Sequence, residues 1–335
     1  MSGTSEAEAG AALAGPPTTA SPASARVAAV ATAALRWPSR AVPANRAGAL
    51  ALRGLFRAAI PLGVPAGPTG AQATRVSAAT RAGAPVAGEW VRPAAADVRH
   101  ADAAILYFHG GAYVTSSPRT HRGIVARLAR ATGTQAFAVR YRLAPEHRFP
   151  AAADDARAAY AWLREQGFAP ERIVLAGDSA GGHLATGLAL QLAAEREPRP
   201  AALALLSPVL DPSFALARVC DRTARDPFLA ASAFARLVGS YVDPHERDVR
   251  AAPLLATPQQ LAAALPPTLL QVGGREMLAE EARAFAARAA HAGVDATLQV
   301  WPGQIHVFQA QTGVLPEARA ALADLGRFAD ATLGR

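Results

Sequence analysis

The sequence predicts an α/β fold with a mostly parallel central sheet flanked by helices, and three observations carry the prediction. From residue 103 onward, short apolar runs alternate with helical stretches, the pattern of a parallel sheet covered on both faces. Between one such run and one such helix lies Gly177-Asp-Ser-Ala-Gly181, a Gly-x-Ser-x-Gly turn. One interval, residues 211–265, breaks the alternation and reads as an insertion over the carboxyl ends of the strands, where open α/β sheets place their sites.

In chain order, residues 1–25 are rich in Ala, Gly, Pro, Ser and Thr and are expected to be a disordered tail. Residues 26–85 divide into short helical runs, broken by Pro38 and Pro43, and a Pro/Gly-punctuated connector over 61–85. The helical runs are expected to form a cap or arm. The main α/β domain is placed at 86–335, with strands at Ala103–Phe108, Ala136–Tyr141, Ile173–Ala176, Ala202–Leu206, Thr268–Val272 and Ala296–Trp301. Helices are expected at 120–131, 151–166, 180–196, 279–292 and 315–332, with Leu184, Leu188 and Leu192 as a core stripe. The insertion at 211–265 holds a helical piece from Phe228 to Tyr241. Phe228, Phe234, Leu237 and Tyr241 either line a pocket or pack the cap; the residues favour neither.

Composition excludes several chemistries. All 34 basic residues are arginine, which removes Ser-Lys dyads, Schiff bases and a phosphate-loop lysine. The formal charge of +8 would suit nucleic acid if it clustered, but the arginines read as scattered and the lysine-free composition as GC-rich coding, so no nucleic-acid partner is expected. Cys220, the single cysteine, lacks a glycine turn or nearby histidine and reads as a packing or surface residue. No metal-ligand spacing or phosphate loop is present, so no metal or cofactor is expected. The start, Met1 to Glu8, lacks the positive region of a secretory signal, and Val27–Leu35 is too short to span a bilayer. A cytoplasmic protein without membrane insertion is expected.

The turn at 177–181 has the context of a nucleophile elbow, strand then Gly-x-Ser-x-Gly then helix, as in α/β-hydrolases. Ser179 is the candidate nucleophile. The loop Tyr107-Phe-His109-Gly110-Gly111-Ala112 closes the first strand of the main series, and its backbone N–H groups can face a developing oxyanion. Gly110, Gly111 and Ala180 are the candidate donors. Ala112 stands where lipases and esterases carry a third glycine and keeps an N–H. The order in this fold is Ser, acid, His, so His306, just past the last strand, is the candidate base. His291 lies within a helix and reads as solvent-facing. Glu276, in the loop after the preceding strand, is the candidate acid, whereas Glu280 and Glu281 fall in a first helical turn, where acids have an ordinary dipole explanation. Asp178 lies beside the nucleophile but faces the wrong way, and it reads as structural, as does His183.

These segments resemble the hormone-sensitive-lipase-like branch of the α/β-hydrolases, bacterial esterase family IV, over about residues 103–310. The motifs are His109-Gly-Gly-Ala, Tyr141-Arg-Leu-Ala-Pro-Glu-His147, Gly177-Asp-Ser-Ala-Gly-Gly, Ser207-Pro-Val-Leu-Asp211 and Gly303-Gln-Ile-His306-Val-Phe. Two departures are Ala112 for glycine and Glu276 where aspartate is more usual. The resemblance implies a metal-free serine hydrolase of short to medium acyl esters, with a two-part helical cap built from the N-terminal segment and the insertion. It also implies a loop-orienting role for His109, loop ties at Glu146 and Asp155, and pairing into a homodimer, which the residues leave open. A deacetylase acting on an N-acetyl or xenobiotic substrate, and a non-enzymatic ligand receptor, are the alternatives on the same fold.

Overall fold

The structure, a computed structural model, describes residues 13–43, 45–63, 70–228 and 230–334. The strands are β1 Gln72–Ala79, β2 Pro85–Arg92, β3 Ala104–Phe108, β4 Gln135–Val139, β5 Ile173–Asp178, β6 Ala202–Leu206, β7 Thr268–Gly273 and β8 Ala296–Trp301. They form one eight-stranded sheet in the order β1-β2-β4-β3-β5-β6-β7-β8. The pairs from β4 through β8 are parallel; β1–β2 and β2–β4 are antiparallel. All six strands expected from the apolar runs are present.

The helices are α1 Pro22–Ala31, α2 Trp37–Ser39, α3 Arg46–Gly63, α4 Pro118–Thr132, α5 Ala151–Glu165, α6 Ala180–Ala194, α7 Ala215–Ala224, α8 Ala231–Gly239, α9 Pro258–Ala264, α10 Ala279–His291 and α11 Pro316–Leu333. Alternation along the strands sorts them into two layers. Leu106 and Phe108 of β3 join one core with α5, α6 and α10 residues such as Tyr160, Leu184 and Phe285. Ile105 and Tyr107 join a second core with Ile124 and Leu128 of α4 and Leu322 and Leu325 of α11. Helix α6 is buried around most of its circumference, Leu184, Leu188 and Leu192 included, as expected of a helix that is apolar on all faces.

Two expectations at the amino end need correction. The connector over 61–85 contains β1, and β2 follows, as an antiparallel hairpin on the sheet edge. Strand β1 is mostly exposed and carries polar and small residues, so it has no apolar run to announce it. Trp90 of β2 anchors the hairpin against Phe137, Trp162 and Phe168, with ring centroids 5.3, 6.2 and 5.9 Å away. Of the tail placed at 1–25, residues 1–12 lie outside the described residues, but 13–25 are docked. The buried Asp324 carboxylate accepts the N–H groups of Ala14 (2.9 Å) and Gly15 (3.0 Å), and Glu317 accepts Ser21 N–H at 2.6 Å. The attachment was hidden because it rests on backbone amides and serine hydroxyls meeting distant carboxylates, with only small apolar contacts from Leu13 and Ala23.

Close backbone approach dictates one glycine here. A Cβ on Gly181 in α6 would collide with the Phe108 carbonyl of β3, and neither backbone can yield. Gly181→Ala is therefore expected to cost about 3 kcal/mol or more, read as a lowered midpoint in urea unfolding.

Candidate active site

Ser179 joins β5 to α6 with φ 54° and ψ −119°, a backbone conformation costing an L-residue about 1–3 kcal/mol. Gly177 and Gly181 permit the turn, since a Cβ on Gly177 would strike the Gly181 backbone. Ser179 N–H donates to Leu206 at 2.9 Å, and its carbonyl accepts Val209 N–H at 3.1 Å. Although Ser179 occupies the N-cap position of α6, its hydroxyl makes no capping bond.

His306 follows β8 in the loop Pro302–Val307, and its Nε2 lies 3.0 Å from Ser179 Oγ. Its Nδ1 is 3.5 Å from Glu276 Oε2, ion-pair range at the outer limit of a hydrogen bond. Glu276, fully buried in the loop after β7, is fixed by a residue that sequence reasoning did not assign. Ser207 Oγ donates to Glu276 Oε2 at 2.7 Å and accepts Val307 N–H at 3.0 Å, tying the Glu276 loop to the His306 loop. Its only signal in sequence was its place at the end of β6 within Ser207-Pro-Val-Leu-Asp211.

Burial pushes the His306 pKa down, but the Glu276 carboxylate, helped by Asp226 and Asp178, outweighs it and holds the imidazole above its ordinary 6.5. Asp226 was also unassigned. Its carboxylate accepts Phe228 N–H at 2.6 Å and Met277 N–H at 2.8 Å, and burial raises its pKa to about 6. Phe228 and Phe234 pack on His306, with ring centroids 5.3 and 6.0 Å away.

The glycine loop corrects the donor set. Gly110 N–H donates to Asp178 Oδ1 at 3.0 Å, and Tyr107 OH to the same oxygen at 2.6 Å, so Gly110 is committed to the fold. The N–H groups of Gly111, Ala112 and Ala180 have no acceptor among the described residues. Gly111 (φ 112°), Ala112 (φ 52°) and Tyr113 (φ 63°) turn the loop, displacing the uncommitted amides one residue beyond the expected position. His109 Nδ1 lies 2.8 Å from the Gly110 carbonyl, and its ring stacks on Tyr141 at 4.3 Å. Burial, with His121 nearby, lowers its pKa to about 3, which keeps it neutral and suits it to holding the loop. Asp178 faces His121 at 3.4 Å, turned to the structural side as expected. His183 Nε2 bonds the Ala251 carbonyl at 2.8 Å, and His291 is exposed.

Ser179 and His306 open onto a 390 Å³ cavity that is mainly apolar. The N-terminal helices line it with Leu35, Val42, Leu52 and Leu55, and the insertion with Phe228, Phe234 and Leu237. Tyr241 instead stacks on Tyr113 in the core at 4.2 Å. Cys220 does not line the cavity; half-buried, its Sγ–H donates to the Glu276 carbonyl at 3.9 Å.

The model of the α/β-hydrolase-fold family matches residues 105–310, which include Ser179, Glu276, His306 and the glycine loop but not the N-terminal residues of the cavity wall. The chain belongs to the hormone-sensitive-lipase-like α/β-hydrolases. A solved esterase of the bacterial hormone-sensitive lipase family superimposes with a TM-score of 0.80 at 35% identity, covering 94% of this chain and 99% of that one. Carboxylesterase/phospholipase LipF of Mycobacterium tuberculosis is 40% identical over 237 residues, 69% of this chain but 63% of LipF's length. An acetyl-hydrolase of Streptomyces hygroscopicus is 40% identical over 243 residues, 72% of this chain and 78% of that protein. In this chain the elbow at Ser179, the loop of Glu276 and the loop of His306 follow one another in that order.

The charge around His306 sets its titration. NMR of the ring is expected to give a midpoint above 6.5, and Glu276→Gln is expected to move it down, because the main partner favouring the imidazolium is then gone.

Proposed function

We propose that this chain is a serine carboxylic ester hydrolase acting on small, short to medium acyl esters. The observation that carries the reading is the 3.0 Å approach of His306 Nε2 to Ser179 Oγ at the floor of an apolar cavity. In the proposed reaction, Ser179 Oγ attacks the acyl carbon while His306 Nε2 takes its proton. Glu276 keeps Nδ1–H oriented and stabilises the imidazolium. The N–H groups of Gly111, Ala112 and Ala180 receive the oxyanion; each such donor contributes about 10²–10³ in rate. His306 then protonates the leaving alcohol, and a water deprotonated by His306 releases the acid and restores Ser179. The cap formed by the N-terminal helices and the insertion limits the acyl chain.

A second reading is favoured by the relative named acetyl-hydrolase: the same groups could cleave an N-acetyl amide, with amine in place of alcohol as leaving group. Initial rates on p-nitrophenyl acetate, butyrate and a long-chain ester, beside an N-acetyl anilide, separate the two. The expected result is turnover of the short esters, weak turnover of the long one and none of the anilide. Ser179→Ala is expected to lower kcat by about 10⁴–10⁶. A wild type inert to every ester but active on the anilide would establish the second reading.

Ser207→Ala removes the bond that holds Glu276 and leaves its carboxylate less constrained. Since a hydrogen bond to a charged group is worth about 1.5–3 kcal/mol, a roughly 10- to 100-fold lower kcat with KM nearly unchanged is expected in steady-state kinetics.

A further inference from the structure

The arginines are less evenly distributed than a scan for a basic stripe suggests. Residues 9–88 contain eight arginines and no acidic residue, while the remaining 26 arginines are matched by 26 acids. That acid-free segment holds α1, α2 and α3, and its residues from Ala34 to Leu55 wall one side of the cavity. A π-helical turn, Thr32–Arg36, joins α1 to α2. Along these elements the exposed residues Arg26, Val30, Ala33, Trp37 and Arg40 recur at steps of three or four, one face of a helix. Val30 is 67% and Trp37 59% exposed, an unusual position for a tryptophan without a partner surface. The Arg40 guanidinium lies 4.8 Å above the Trp37 ring. Neither Arg26 nor Arg40 has a carboxylate partner among the described residues. On α3, Leu50 (53%) and Leu55 (49%) are exposed as well. Ala34 and Leu55 are exposed and also line the cavity, which places this face at its rim.

We propose that the outer face of α1 to α3 is a docking surface for an anionic phospholipid layer, on which the chain rests with its cavity mouth toward the lipid. An arginine-flanked apolar stripe lies in the interface plane, with its apolar residues at the acyl boundary and its guanidinium groups among the headgroups. Trp37 suits that boundary because its ring is apolar and its N–H polar. A nucleic acid would use the arginines but leave Val30, Ala33 and Trp37 without a function. Adsorption is peripheral: no described helix is long and apolar enough to cross a membrane.

The test is flotation of the full chain with vesicles of phosphatidylcholine alone or mixed with phosphatidylglycerol, beside size-exclusion chromatography. The wild type is expected to float with the mixed vesicles, to stay behind with the neutral ones and to be released by salt. Trp37→Ser, and Arg26→Glu with Arg40→Glu, are each expected to reduce the bound fraction at least about tenfold. Both are expected to hydrolyse dissolved p-nitrophenyl butyrate like wild type and to keep its circular dichroism spectrum. No flotation of the wild type, or flotation indifferent to the charge reversals, would overturn the proposal. So would a wild-type dimer that Trp37→Ser dissociates, since a second copy would then cover the face. Flotation requires no turnover, so its outcome is independent of the ester chemistry.

Discussion

The strained turn at Ser179 is the constraint on which the rest of the site depends. A serine at a helix N-cap ordinarily turns its hydroxyl back onto the N–H groups of the first turn, satisfying both. The backbone of Ser179, at φ 54° and ψ −119°, prevents that, and no capping bond forms. The hydroxyl is thereby left for a substrate, beside the Ala180 amide, which has no acceptor among the described residues, at the positive end of α6. The strain persists because the surroundings over-determine it. Leu206 and Val209 clamp Ser179 on both sides, and the Gly177–Gly181 contact leaves no room for the chain to relax.

Three buried carboxylates approach His306, and their hydrogen bonds decide their duties. Asp178 is occupied by Tyr107, Gly110 and His121, so it builds the glycine loop rather than serving the imidazole. Asp226 holds the amides of Phe228 and Met277, and so joins the cavity wall to the acid loop. Glu276 alone faces Nδ1, and its Oε1 has no partner among the described residues. The extra methylene of glutamate and the Ser207 bond together place that carboxylate; an aspartate on this loop would fall short of Nδ1 unless the loop moved.

Local signals account for what was readable in the sequence. The parallel strands were legible because each is a continuous apolar run, and the elbow because its glycines reflect backbone collisions that permit no substitute. Ser179, Glu276 and His306 converge as their chain order implied. Long-range hydrogen bonding was invisible: nothing near Gly110 in sequence reveals that Asp178, 68 residues later, takes its N–H. The same applies to Ser207 reaching Glu276, and to Asp324 capturing the amides of Ala14 and Gly15. Strand β1 escaped because an edge strand exposed on most positions needs no hydrophobic period.

The amino-terminal segment links the inner site to the outer surface. Ser24 Oγ of α1 accepts a hydrogen bond from Gln304 Nε2 at 2.6 Å, two residues before His306. Arg36 pairs with Asp221 of α7 at 2.8 Å and also bonds the Asp226 carbonyl, so the arm is fastened to the insertion beside the phenylalanine wall. The inner side of this arm therefore braces the loop before His306 and lines the cavity, while its outer side carries Arg26 and Arg40, without carboxylate partners among the described residues, and exposed apolar side chains. A segment kept only for packing would gain nothing from excluding every acid over eighty residues; on a surface meant to meet anionic lipid, each acid would oppose adsorption. The charge pattern and the cavity rim thus give one account of why the arm is basic outside, apolar inside and joined to the base loop.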